Sequence, residues 1–399
     1  MKNRLVAALV LVPMLISLQS RAQNTLLGQN YINTITTAVP FLMISPDARA
    51  GGMGDAGAAS SADVNSIHWN PAKMVFNEKK IGIGVSYTPW LRKLVPDINL
   101  AYLTGFYKPN ENSAIGISLR YFSLGNIDFT DASQNSLGSF NPHEVAFDVA
   151  YSRKLGENLS GGIALRYINS NLTGGIPVEG NVSKAGNSVA ADVSVYYKTE
   201  MEISGKDAEF AAGLAITNIG SRMSYSETGT KDFIPINLRL GPSLKLKLND
   251  YNELAFLVDF NKLLVPTPPI YDDELKDGEY VVLSGKNPNV GVAQGIFQSF
   301  SDAPGGGKEE LREVNICGGL EYWYDKQFAF RAGYFNEHKT KGNRKYFTLG
   351  VGLRYNVFGL DFAYLIPTEQ ANPLENTLRF TLSFNFDSIK NNGGGNNEE

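Results

Sequence analysis

Leu378-Arg379-Phe380-Thr381-Leu382-Ser383-Phe384-Asn385-Phe386 alternates large apolar with smaller or polar residues without a break. In an extended chain successive side chains point to opposite faces. Leu378, Phe380, Leu382, Phe384 and Phe386 therefore share one face, and Arg379, Thr381, Ser383 and Asn385 share the other. A water-soluble sandwich also alternates, but it does not usually place five large apolar side chains on one face of its final strand. Lipid on one side and a polar lumen on the other accounts for the pattern. The same alternation, in runs of about ten residues closed by a turn, recurs upstream as far as Ile81. It predicts strands over 80–87, 98–107, 113–123, 143–152, 159–169, 187–198, 209–219, 234–248, 252–261, 310–324, 327–335, 345–356, 357–365 and 377–386. The fold expected is an all-β membrane protein, a 14-stranded antiparallel outer-membrane β-barrel.

The connections test that count. Odd-numbered ones are long, among them 124–142, 170–186, 220–233 and 262–309, whereas even-numbered ones such as 108–112, 153–158, 249–251 and 325–326 are short. Long outside and short inside is the outer-membrane convention, with both chain ends expected in the periplasm. Tyr87, Tyr121 and Tyr167 end strands running one way, and Tyr151 and Tyr197 end strands running the other. They suit two aromatic belts at the interfaces, although β-propensity alone also favours tyrosine in strands. Arg120, Asp148, Arg166, Asp192, Arg331, Arg354, Asp361 and Arg379 fall on the lumen phase, where mixed signs suit an ion network better than a selectivity filter.

Upstream, Lys2 and Arg4 precede the apolar stretch Leu5 to Leu18, and Ser20-Arg21-Ala22 offers small residues for cleavage. Residues 1–22 read as a signal peptide, and no later stretch is long and apolar enough for a helical span. Export followed by barrel insertion places the mature chain in a bacterial outer membrane. Residues 387–399 are Asn, Gly and Glu without apolar anchors and read as a disordered periplasmic tail. A net charge of −4 argues against a nucleic-acid partner. Three histidines and one cysteine, without paired metal-ligand spacing, predict no metal site and no cofactor, and Cys317 reads as an inward-facing space-filler.

Residues 23–79 do not alternate. A barrel of fourteen strands encloses more lumen than its own side chains fill, so this segment is expected to fold inside as an N-terminal plug. Gly51-Gly52-Met53-Gly54-Asp55-Ala56-Gly57-Ala58-Ala59-Ser60-Ser61 supplies small residues for close packing, and Asn70-Pro71-Ala72 precedes the first strand. Gly52, Gly54 and Gly57 formally match a dinucleotide fingerprint, but no strand precedes them and no βαβ unit follows.

The run Ala48 to Gly57, then Trp69-Asn70-Pro71-Ala72, then fourteen strands resembles the FadL-like long-chain fatty-acid transporter superfamily over essentially the whole mature chain. Within it, Ala38-Val39-Pro40-Phe41-Leu42-Met43-Ile44-Ser45-Pro46-Asp47-Ala48-Arg49 is similar to the PorV family of the type IX secretion system. That resemblance implies a carrier rather than an enzyme. It would bind the C-terminal signal domain of secreted cargo proteins as they leave the outer-membrane translocon pore, then deliver them to a surface attachment complex containing a sortase-like protease. Outer-membrane lipid is the remaining implied partner.

The longest loop, 262–309, offers a docking candidate. Leu263, Leu264, Val265, Pro266, Pro268, Pro269, Ile270 and Tyr271 form an apolar stripe stiffened by prolines, and Asp272-Asp273-Glu274 adds an acidic rim. Packing over the barrel mouth is the alternative for the same residues. Ser299 to Lys308, with three glycines, reads as flexible. Two other functions stay open from the residues. One is passive uptake of a hydrophobic small molecule, with Pro235 and Pro242 kinking a strand. The other is a lipid esterase pairing His143 with Ser133, Ser136 or Ser139, although a solvated loop histidine explains His143 more simply.

Overall fold

The computed structural model describes residues 32–387 except 93–94, 96, 131–132, 134–135, 176–182, 227–228, 277–278 and 370–371. The expected signal peptide and nearly all of the expected tail lie outside the described residues. Among the described residues, eighteen strands follow a short N-terminal region: β1 (Ile81–Pro89), β2 (Asn99–Asn110), β3 (Ser113–Ser123), β4 (Ile127–Thr130), β5 (Ser136–Phe140), β6 (His143–Lys154), β7 (Leu159–Asn171), β8 (Gly186–Ile203), β9 (Lys206–Gly220), β10 (Asn237–Lys247), β11 (Asn252–Leu263), β12 (Ile270–Lys276), β13 (Glu279–Ser284), β14 (Asn315–Tyr324), β15 (Phe328–Asn336), β16 (Lys345–Tyr355), β17 (Phe358–Pro367) and β18 (Leu378–Phe386). Fourteen of them close a barrel, and β4–β5 and β12–β13 are separate hairpins in two of the long connections. Every barrel pair is antiparallel, and β1 meets β18 with Ile81 opposite Phe386 and Tyr87 opposite Phe380.

All fourteen expected strands are present, with shifted edges. The tenth begins at Asn315 rather than 310, because a short helix occupies Gly307–Arg312. The eighth keeps Pro242 inside β10, where it lies opposite Ala212 of β9. The β8–β9 connection is only Ser204-Gly205, both at positive φ (51° and 77°), the two-residue turn whose twist matches a hairpin.

Alternation sorts the side chains as expected. On β1, Ile83, Val85 and Tyr87 are exposed on the outer wall while Ser86 and Thr88 are buried. All eight charged residues assigned to the lumen face inward, and seven of them are fully buried. The outer positions are solvated by lipid, and the inner ones are covered by the N-terminal region.

That region runs through the barrel. A 3-10 turn at Pro40–Met43, helices α1 (Ala48–Gly51) and α2 (Ser66–Trp69), and a second 3-10 stretch at Pro71–Phe76 line up between the long-loop end and the start of β1. The chain's own N-terminus, expected in the periplasm, lies outside the described residues. The two ends of the barrel sheet, at Ile81 and Phe386, do share the short-turn end. Asn33, however, sits at the opposite end, its N–H donating to Thr340 O in the β15–β16 connection at 2.9 Å. The described N-terminal end of the plug therefore starts among the long loops, not beside the tail. It starts there because an apolar cluster lies there, in which Val39, Phe41 and Leu42 pack with Ile98, Leu100, Phe122, Ile168, Ile234 and Leu264.

Candidate functional site: the sealed lumen and its cap

Inside the barrel, plug and wall exchange hydrogen bonds along the whole descent. Asp47 caps α1 by accepting from Ala50 N–H at 2.9 Å, and its other oxygen accepts from Trp69 Nε1 at 2.6 Å. Arg49 grips Glu321 of β14 with two parallel bonds of 2.8 Å each and reaches Asp63 at 3.0 Å. Glu321 also takes Arg331 Nε at 2.9 Å, and Arg331 and Arg354 together hold Asp361 at 2.8 and 2.7 Å. Arg379 and Tyr346 close on Asp55 at 2.8 and 2.6 Å. A second network ties Arg166 to Asp148, Asp192 and Asn218. Charges that would be costly alone are thus paired, with the plug supplying Arg49, Asp55 and Asp63.

Small residues make the contact possible. Gly54 has φ 68°, and a Cβ there would lie 2.6 Å from Tyr334 N and 2.7 Å from Gly318 O. The wall answers with glycines of its own, since a Cβ on Gly213 would strike Ala58 O and one on Gly333 would strike Gly54 N. Asp259 of β11 accepts from the N–H groups of Gly57 and Ala58, both at 2.7 Å. Asn70 accepts from Ala72 N–H at 3.0 Å and donates to Ala58 O and Val195 O at 3.2 and 3.1 Å, with Pro71 opening the 3-10 stretch. The other residues singled out as the plug motif also lie against the barrel wall, Gly52 against Gly350, and Pro71 and Ala72 against Gly162. Sequence reading missed the wall residues Asp259, which holds Gly57 and Ala58, Glu321, which holds Arg49, and Arg239, which lies 4.6 Å over the Trp69 ring.

At the long-loop end the β11–β14 connection folds into a cap. It contains the β12–β13 hairpin, α3 (Val292–Gln298) and α4 (Gly307–Arg312). Leu264 and Val265, expected on an exposed stripe, are instead 1% and 2% exposed and join the plug's Val39, Phe41 and Leu42. Pro266 and Pro269 are buried as well, Leu263, Pro268, Ile270 and Asp272 are half-buried, and Tyr271 is 43% exposed. The side chain of Asp273 lies outside the described residues. Apolar side chains next to an open lumen mouth bury more surface by covering it than by facing water. An exposed stripe at 263–270 is therefore corrected to a mouth-closing layer.

Ser299 to Lys308, expected to be flexible, is tied in too. Glu310 accepts from the N–H groups of Asp302 and Ala303 at 2.7 and 2.9 Å, and Asp302 accepts from Thr267 N–H at 3.1 Å. Lys262 bridges Glu310 and Glu313 at 3.0 and 2.5 Å, and Lys341 bridges Glu309 and Glu313 at 2.6 and 2.9 Å. Asn33 completes the clasp by donating to Glu309 at 3.0 Å and Pro268 O at 3.1 Å. Burial, with Glu310 and Glu313 close by, raises the Asp302 carboxyl to about 6. His143 Nδ1 lies 2.9 Å from Asn141 O, and the ring stacks on Tyr121 at 5.8 Å between centroids.

Solved structures similar to this chain include the Pseudomonas putida toluene transporter TodX, at 10% identity and a TM-score of 0.47, covering 90% of this chain and 100% of that one. The CymD monoaromatic hydrocarbon channel is 14% identical, with a TM-score of 0.46 and coverage of 86% and 98%. A Pseudomonas aeruginosa FadL homologue is 12% identical, with a TM-score of 0.41 and coverage of 89% and 99%. No curated protein matches. Residues 27–270, more than half of the chain and all of the plug's anchoring sequence, match the family described as "Type IX secretion system protein PorV", and the chain belongs to that family.

Proposed function

We propose that this protein is an outer-membrane carrier of the type IX secretion system. It binds the C-terminal signal domain of secreted cargo at its long-loop end, on the cell exterior, and passes the cargo from the translocon to the sortase-like attachment complex. The family match over 27–270 carries this reading. The geometry supports it, because the lumen is filled by a plug hydrogen-bonded to the wall and closed above by the cap, which leaves the outer face of the cap for binding. The role proposed is binding and transfer without bond-making chemistry.

Affinity purification of a tagged copy from mild-detergent outer membranes, with mass spectrometry of its companions, tests the proposal. Recovery of secreted proteins sharing one C-terminal domain is expected. Recovery of the barrel alone with a bound hydrophobic small molecule would overturn it and favour passive uptake.

A further inference from the structure

Helix α3 is apolar on two faces. Gly295 and Ser299 are buried, Gly295 against Phe233 and Pro266, and Ile296 packs on the cluster that closes the lumen. Ala293 and Phe297, four apart on the helix, share one side, and Phe300 follows just past the helix end. That side is in water, with Phe297 78% and Phe300 51% exposed. The next helix adds Leu311, 76% exposed, and Phe300 stands beside it: Lys262 Nζ is 6.0 Å from the Phe300 ring and 3.0 Å from Glu310. Large apolar groups gathered on an exposed face mark an interaction site.

The direction and charge of this face narrow the partner. Its buried side rests on the layer that closes the lumen, so the exposed side points away from that layer. Helix α4 sorts its charges, turning Glu309, Glu310 and the following Glu313 inward onto Lys262 and Lys341 and leaving Lys308 and Arg312 outside. The β15–β16 connection adds Lys339, and Lys345 opens β16. After burial, Arg312, Lys345, Lys339 and Lys341 are the charges that hold His338 below the usual imidazole range. A chain of net charge −4 thus presents exposed basic side chains, Lys308 and Arg312, beside exposed apolar ones at this place.

We infer that the Phe297–Phe300–Leu311 face is the docking site for an acidic, apolar patch on the C-terminal domain of secreted cargo. This rests on the carrier reading and moves its site from 263–273 to the outer side of α3 and α4.

The test uses full-length protein in nanodiscs and, as probe, the purified C-terminal domain of a secreted protein from the same organism. Variants are Phe297→Ser with Phe300→Ser, Lys308→Glu with Arg312→Glu, and Glu157→Gln at a short turn as control, each checked for heat-modifiable migration of a folded barrel. The double Phe variant is expected to weaken binding at least tenfold. The charge-reversal variant is expected to weaken it severalfold and to flatten its salt dependence, with the control unchanged. Tight binding by the double Phe variant would overturn the site while leaving the carrier reading intact. Failure of the unaltered protein to bind the domain would overturn both. Loss of copurifying lipopolysaccharide from the variants, with domain binding unchanged, would assign the face to lipid and overturn the proposal.

Discussion

At the scale of single residues, the seal depends on polar side chains that meet backbone. Asp259 is fully buried and takes two plug N–H groups at 2.7 Å on one oxygen. Asp259→Ala leaves both donors without that acceptor, at a cost of about 1–3 kcal/mol. The expected result is a lower urea midpoint for protein folded into lipid vesicles, and an unchanged midpoint would contradict it. The role of Asp259 was not legible in advance because its partners are backbone groups some 200 positions away in the chain, outside any local pattern. Gly54, Gly57 and Asn70 were legible as a motif, and the physical reason for them appears only where wall glycines and carbonyls meet them.

At the scale of elements, strands were the readable part, since a two-residue period survives any tertiary context that has lipid on one side. On β7, Leu165 faces outward and is 66% exposed to the space lipid occupies. Leu165→Arg should destabilise the inserted barrel by about 2–4 kcal/mol, and Leu165→Ala by less, measured by the same urea titration. The cap was less readable. An apolar run such as 263–270 looks identical whether it faces a partner or covers a lumen mouth, and the choice is made by Val39, Phe41 and Leu42 of the plug. The cap also carries a pH dependence. Asp302 has a carboxyl raised from 3.8 to about 6, so the folded cap binds this proton more tightly than the unfolded chain does. The contribution of Asp302 to cap stability is thus largest below about pH 4 and falls as pH rises through 6. Glu309, held below 4.5 chiefly by Lys341 against the effect of burial, works in the opposite sense, and only at lower pH. Exchange of amides around Thr267, corrected for intrinsic rate, should slow from pH 7 to 5. Asp302→Asn should remove that difference.

At the scale of the whole molecule, the plug and barrel wall meet glycine to backbone, with mixed-sign ion clusters filling the remaining lumen. Gly213→Val should push Ala58 off the wall while leaving the outer face of the barrel untouched. Liposomes carrying this variant should admit small solutes faster than those carrying the unaltered protein, with heat-modifiable migration retained; equal permeability would mean that the plug yields without opening. Strand count, closure and loop asymmetry were all present in the sequence, because each follows from alternation and spacing. The entry of the plug from the long-loop end was not, since nothing local in residues 33–45 says which end of a lumen their apolar groups prefer.

The most direct test of the carrier account places a photo-crosslinking amino acid at position 297 in living cells and, for comparison, at position 157 at a short turn. The account predicts covalent adducts at 297, but not at 157, with secreted proteins that share one C-terminal domain. Absence of such adducts at 297 while secretion continues, or equal adducts at both positions, would contradict it.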